Sequence, residues 1–200
     1  MADAKKYEAR TWANLKGLKG ISDGQLADHF KLYEGYVKNT NLITEKLWGL
    51  AKEGKASGPD PVYAEMTRRL GFEYNGMILH EYYFDNMSSG GTPLPKGGKL
   101  AKAIDQSFSN YDLFFNDFKA VATMRGIGWA VLYQDPRTGW LSTHWISLHN
   151  DGNPAGFKPV LVMDAWEHAF VPDYKPYERG KYVEAFLSNI HWEACEKRIS

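Results

Sequence analysis

Cysteine is almost missing from this chain: Cys195 is the only one in 200 residues. A single thiol excludes an internal disulfide and a cysteine-based metal site. Its position in a helical pattern near the C-terminus is that of a free, buried or half-buried thiol. Net charge is missing too, because 24 Lys and Arg balance 24 Asp and Glu. That excludes broad electrostatic attraction to nucleic acid or to an anionic membrane, while leaving room for local steering of a small anion. No apolar run approaches membrane-spanning length, and the polar stretch 1–14 lacks the apolar segment of a secretory signal. There is no internal repeat and no low-complexity tract. These absences predict a soluble protein of a reducing, cytoplasmic compartment, with neither nucleic acid nor membrane as partner.

Aromatic residues are plentiful. Seven Trp, twelve Tyr and ten Phe are enough for a sizeable core. The first ninety residues read as mostly helical. Ser22 and Asp23 cap a helix whose apolar positions Leu26, Phe30, Tyr33 and Val37 continue towards Leu50, with Asn39-Thr40-Asn41 as the place where it would bend or break. Residues 53–60 form a Gly/Pro/Ser connector, and Pro61 suits the first turn of a second helix that carries Met77 and His80 on to Phe84. The stretch 88–98 holds four Gly and two Pro and reads as a linker. Beyond it come two helices within 99–124, separated near Ser109-Asn110. Short β-branched and aromatic segments follow at 129–134, 141–148 and 159–164, the first two joined by turn chemistry at 136–139. A final helix spans about 179–197. The expectation is an α+β protein: a helical hairpin domain, 1–90, followed by an α/β domain, 91–200, with a small three-stranded antiparallel sheet.

The chemistry-bearing residues are histidines and one aspartate. Asp164 ends the apolar run 159–163, and His168 follows four residues later. A carboxylate and an imidazole at the end of a rigid strand can be aimed at one point. His29 and His80 sit mid-helix among apolar and aromatic neighbours. Three imidazoles and a carboxylate make a borderline donor set suited to iron, manganese or zinc. A helical histidine beside aromatics is more often a satisfied core residue than a ligand, and spacing alone does not bring the four together.

At this point the chain resembles a known family. Asp164-Ala-Trp-Glu-His168-Ala-Phe-Val-Pro-Asp-Tyr174 is similar to the signature Asp-x-Trp-Glu-His-Ala-Tyr of iron/manganese superoxide dismutases. Gly126-Ile-Gly-Trp-Ala-Val-Leu132 resembles that family's glycine-tryptophan strand. His80 with Glu-Tyr-Tyr-Phe84, and His29 with Tyr-Val-Lys-Asn-Thr-Asn41 downstream, resemble its two ligand helices, and Ile190-His-Trp-Glu193 its closing helix. The likeness spans about residues 15–197. It implies His29, His80, Asp164 and His168 as ligands of one iron or manganese ion per subunit, with solvent as fifth ligand. It implies redox cycling that converts superoxide to dioxygen and hydrogen peroxide. It further implies a homodimer, or a dimer of dimers, with Glu167 and His168 at the interface, Glu167 reaching the last histidine ligand of a second copy. Tyr74, Trp129 and Trp166 would line the site, and Arg179 resembles an arginine near the dimer contact.

The chain departs from the family's pattern in three places. The usual eight-residue spacing from first ligand to gateway tyrosine is seven here, His29 to Tyr36, and Tyr33 replaces the usual halfway histidine. Positions i, i+4 and i+7 share one helical face, so all three would point inward on a regular helix without a π-bulge. Tyr36 is assigned as gateway and Tyr33 as its supporting neighbour. Val171 stands where the partner of that halfway histidine is usually a tyrosine, so the intersubunit pair is lost from both sides. Gly76 stands where some iron enzymes carry a glutamine, and His149 is assigned to bond the metal-bound solvent in its stead. His144 and His191 are taken as structural or surface residues. Two other readings compete: a mononuclear non-haem metalloenzyme acting on a larger substrate, and a non-catalytic relative that kept the fold.

Overall fold

The computed structural model describes residues 6–200. The first five residues of the polar stretch 1–14, which also begin the expected hairpin unit, lie outside the described residues. Helix α1 (Asp23–Lys52) starts where Ser22 accepts a hydrogen bond from the Gln25 amide, and α2 (Pro61–Asp85) where Asp60 accepts from Tyr63. Each side-chain oxygen satisfies one of the amides that a first helical turn leaves open. The two helices pack on each other as a hairpin.

Helix α1 does not break at residues 39–41. Thr40 is buried in the hairpin, its carbonyl also accepts from the Thr44 hydroxyl at 2.7 Å, and Asn41 turns outward to bond Tyr7. The Asn39 and Asn41 side chains bond Glu73 and Tyr7 and so do not compete with the helical ladder. The helix is also free of a π turn, as the seven-residue spacing requires.

Helices α3 (Lys99–Phe108) and α4 (Tyr111–Ala122, capped by Asn110) precede the sheet. Strand β1 (Gly128–Gln134) lies between β2 (Leu141–Ser147) and β3 (Lys158–Asp164), antiparallel to both. The whole of β1 is buried. At its start only glycine fits: a Cβ on Gly128 would come within 2.1 Å of the Ile146 carbonyl oxygen. In the ladder Trp129 stands opposite Asp164.

The expected final helix is two, α5 (Arg179–Ser188) and α6 (Trp192–Glu196). The break at 189–191 is held from far away. Asn189 exchanges hydrogen bonds with the Lys19 backbone, Ile190 bridges to Met87, and the His191 amide donates to the Asn86 carbonyl. Cys195 is buried in α6, where burial pushes its thiol up to about 12. Among the described residues no helix is long and apolar enough to cross a membrane.

The hairpin is fastened to the sheet near Asp164. Tyr182 donates to the Asp164 carbonyl at 2.8 Å, and its hydroxyl lies 3.0 Å from that of Tyr83 on α2. Asn86, just past α2, donates to the Val162 carbonyl of β3 at 2.6 Å.

Candidate metal centre

His29, His80, Asp164 and His168 come together: one donor atom from each lies within 4.8 Å of all the others. Three imidazole nitrogens converge on a single carboxylate oxygen, Asp164 Oδ2. The distances are 3.1 Å from His29 Nε2, 3.1 Å from His168 Nε2 and 3.6 Å from His80 Nε2. His29, His80 and Asp164 are fully buried.

Two of the donors, His80 and Asp164, are aimed by a bond made on their other side. Nδ1 of His80 donates to the Gly76 carbonyl at 2.6 Å, which leaves the Nε2 lone pair facing the cluster. Asp164 Oδ1 accepts from the Trp166 amide at 2.8 Å, turning Oδ2 inward. The His168 carbonyl accepts from the buried Gln25 side chain at 2.9 Å.

The electrostatics match a cation. Burial holds the His29 and His80 imidazoles below their ordinary range, so both are neutral donors. For Asp164, burial by itself pushes the carboxyl up. The charge of His168 and the hydrogen bonds from His168 and His29 outweigh it and hold the group far below the usual carboxylate range. His80 Nε2 is buried and has no hydrogen-bond partner among the described residues. An unpartnered buried acceptor costs about 1–3 kcal/mol, and a cation within the cluster satisfies it. The donor set therefore fits one iron or manganese ion.

Around the donors is an aromatic wall. Trp129 meets His80 edge-on at 4.9 Å, and Trp166 stacks beside His168 at 5.5 Å and His149 at 4.7 Å. Tyr83 and Phe84 touch His29 at 5.2 and 5.1 Å. Tyr74 is not part of this wall. It is 38% exposed and packs against Tyr7, because the six residues from Tyr74 to His80 carry it to another flank of α2. Phe72 takes the place expected of Tyr74, 4.5 Å from His149. The sequence signal for it was there, since 72, 76 and 80 recur at four-residue steps on one helical face.

Tyr36 and His149 are joined. Nε2 of His149 lies 2.8 Å from the Tyr36 hydroxyl, and Nδ1 accepts from Trp129 Nε1 at 3.0 Å. Burial holds His149 down to about 4, so the ring is neutral. With Nδ1 committed as acceptor, the proton sits on Nε2 and is donated to the Tyr36 oxygen. Leu148 adopts φ 54°, a left-handed conformation uncommon for leucine, at the turn from β2 into His149. Tyr36 packs on His80 at 5.1 Å. Burial first, then Asp164 and Glu73, push its phenol up. Gly76 makes room for this ring: a Cβ there would be 2.6 Å from Tyr36 Cδ1.

Tyr33 is engaged elsewhere. Its hydroxyl donates to Glu81 and accepts from the Arg10 amide, both at 2.9 Å. Its ring meets Trp12 and Phe84, and Phe84 in turn meets His29. Arg179 bonds the carbonyls of Met124 and Gly126. His144 bonds Ser142 and packs on Tyr133 and Phe157, and His191 is partly exposed. Neither approaches the cluster.

Three histidines and one aspartate, two donors from a helical hairpin and two from the end of a sheet, make a site that can hold a single metal ion, the class of a mononuclear metalloprotein. Residues 95–198 match the family described as iron/manganese superoxide dismutases, C-terminal domain. The chain is 36% identical to an iron superoxide dismutase of Aquifex pyrophilus over 97% of its length and 91% of the relative's. It is 38% identical to a manganese/iron superoxide dismutase of Aeropyrum pernix, over 86% and 78%. With a manganese superoxide dismutase of Mycolicibacterium smegmatis it shares 35%, over 86% and 81%. The chain belongs to the iron/manganese superoxide dismutases.

Proposed function

We infer that the chain is a superoxide dismutase that turns two superoxide anions and two protons into one dioxygen and one hydrogen peroxide. His29, His80, Asp164 and His168 would hold one iron or manganese ion. When bound, that ion supplies the one-electron couple, alternately trivalent and divalent. The observation that carries this reading is the convergence of three imidazole nitrogens on Asp164 Oδ2, with His80 Nε2 buried and unpartnered.

The remaining residues manage protons and access. Trp129 fixes the tautomer of His149, and His149 donates to Tyr36. The Tyr36 hydroxyl proton is thereby left free to donate on the His80 side, towards substrate. Tyr36 keeps that proton through neutral pH because its phenol is pushed up. The aromatic wall excludes bulk water. Tyr33 serves at one remove, anchoring residues 10–12 to the hairpin.

The reading extends to assembly and organisation. A homodimer, or a dimer of dimers, is supported by Glu167, an exposed carboxylate between two ligands with no side-chain partner among the described residues. The exposed apolar residues Ile127, Leu148 and Val171 support it as well. A division at 90/91 is supported by the Gly/Pro loop there and by the two-and-two split of the ligands. A cytoplasmic, antioxidant role suits a chain with one buried free thiol.

The test is metal content with superoxide-scavenging activity of protein reconstituted with iron or manganese, for the wild type and for His80→Ala and Asp164→Ala. One ion per subunit with activity, both lost in the variants, is expected. Full metal occupancy and activity in either variant sinks the ligand assignment.

A further inference from the structure

Glu73 is left unexplained by the chemistry so far. It is a carboxylate with its side chain 2% exposed, on the helix that carries His80 and near enough for its charge to push the Tyr36 phenol up. A buried anion beside the path of an anionic substrate is a liability. Its partner is Arg69, whose Nε donates to Glu73 Oε1 at 2.6 Å, while Asn39 donates to the other oxygen at 3.4 Å. The Arg69 side chain is 50% exposed, so the pair is oriented with its anion inside and its cation outside.

Arg69 is also fixed from below. Its guanidinium lies 4.2 Å over the centroid of Phe72, a cation–π contact. Phe72 in turn touches His149 at 4.5 Å and Tyr36 at 6.3 Å. An exposed arginine that merely pairs with a surface carboxylate has a loose geometry and little consequence. Here a buried carboxylate and an aromatic ring hold a planar cation over Phe72, the ring that meets both Tyr36 and His149. Of the groups whose charge acts on both Tyr36 and His149, Arg69 is the arginine or lysine, and it opposes Asp164 at each.

We propose that Arg69 is a positioning residue for the substrate: held by Glu73 and stacked on Phe72, it supplies the positive charge that draws superoxide across Phe72 to Tyr36 and the four-donor cluster. The proposal rests on that cluster being the metal centre. It assigns Glu73 the task of fixing the guanidinium and Phe72 that of a threshold between the cation and the site.

The experiment measures kcat and kcat/KM for superoxide by pulse radiolysis, from low to physiological ionic strength, on metal-loaded wild type, Arg69→Gln, Arg69→Lys and Arg69→Glu, each normalised to metal content. Arg69→Gln should lower kcat/KM several-fold at low salt, short of the roughly tenfold at the lower end of steering by a whole charged cleft. Its salt dependence should flatten while kcat holds. Arg69→Lys, which keeps the charge but not the planar stack, should keep most of the salt slope, and Arg69→Glu should reverse it. A structural role would lower kcat at every ionic strength and would not be rescued by lysine. Equal salt slopes in the lysine and glutamate variants overturn the proposal, even should the glutamine variant fold poorly. Failure of the ligand assignment would show separately, as metal retained by His80→Ala.

Discussion

Gly76→Ala isolates the seat of Tyr36 from the metal ligands. The added Cβ would lie 2.6, 2.9 and 3.0 Å from Cδ1, Cε1 and Cγ of Tyr36, against the 3.4 Å or more of ordinary contact. The ring must retreat by about 1 Å or tilt, since carbon atoms repel steeply below their optimum near 3.5 Å. The Tyr36–His149 bond is 2.8 Å, and a retreat of that size stretches it past hydrogen-bonding range. Overpacking costs about 1–3 kcal/mol, and alanine returns about 1 kcal/mol of helix propensity over glycine. The net loss of stability is then about 0–2 kcal/mol. The His80 tether survives because Gly76 accepts through its backbone carbonyl. Metal content should hold while activity falls by about tenfold, the equivalent of 1.4 kcal/mol on the barrier, a typical hydrogen bond. Superoxide decay, metal analysis and thermal unfolding of the same preparation give the three readings. Wild-type activity with the Tyr36–His149 bond intact in a crystal structure of the variant would refute the reasoning.

Two further outcomes are expected. Glu167→Ala should weaken self-association at least tenfold, since losing one partner of a buried interfacial charge pair costs about 2–5 kcal/mol; sedimentation velocity at micromolar concentration checks this, and a monomeric wild type contradicts it. Acid should destabilise the metal-free protein through His149. Its native value, about 4, lies below the ordinary 6.5, so between these pH values the unfolded chain binds more protons. Stability therefore falls as pH drops through that window, by up to about 1.4 kcal/mol per pH unit for this group. Urea midpoints across the window should fall less steeply for His149→Gln than for the wild type, and parallel lines would rule the effect out.

Much of this fold could be read locally. Ser22, Asp60 and Asn110 cap the helices they precede, and the apolar run before Asp164 is β3. The helix break at 189–191 was illegible because Asn189 is held by Lys19, 170 residues away, and no local signal encodes such a tie. At the site, the resemblance singled out four residues that spacing could not join. His149 and Tyr36 were legible as neighbours of the site but not as bonded to each other. Tyr74 was placed in the wall by its chemistry, and helical phase puts Phe72 there instead. Tyr33 has the right phase, yet Arg10 and Glu81 claim its hydroxyl, and neither claim shows in the helix's own sequence.

The two-and-two origin of the donor cluster has a consequence for how the protein is made. His29 and His80 belong to a hairpin whose helices chiefly pack on each other, so a chain growing from its N-terminus has the means to fold this half early. Asp164 and His168 are synthesised last, on a strand that needs β1 beside it and Tyr182 behind it. Until then the nascent hairpin carries two imidazoles and lacks the Asp164 carboxylate, a weak and unselective trap for divalent ions. The four-donor set is complete only once β3 and His168 have joined the hairpin, so acquisition of an ion there would report that the two halves have come together.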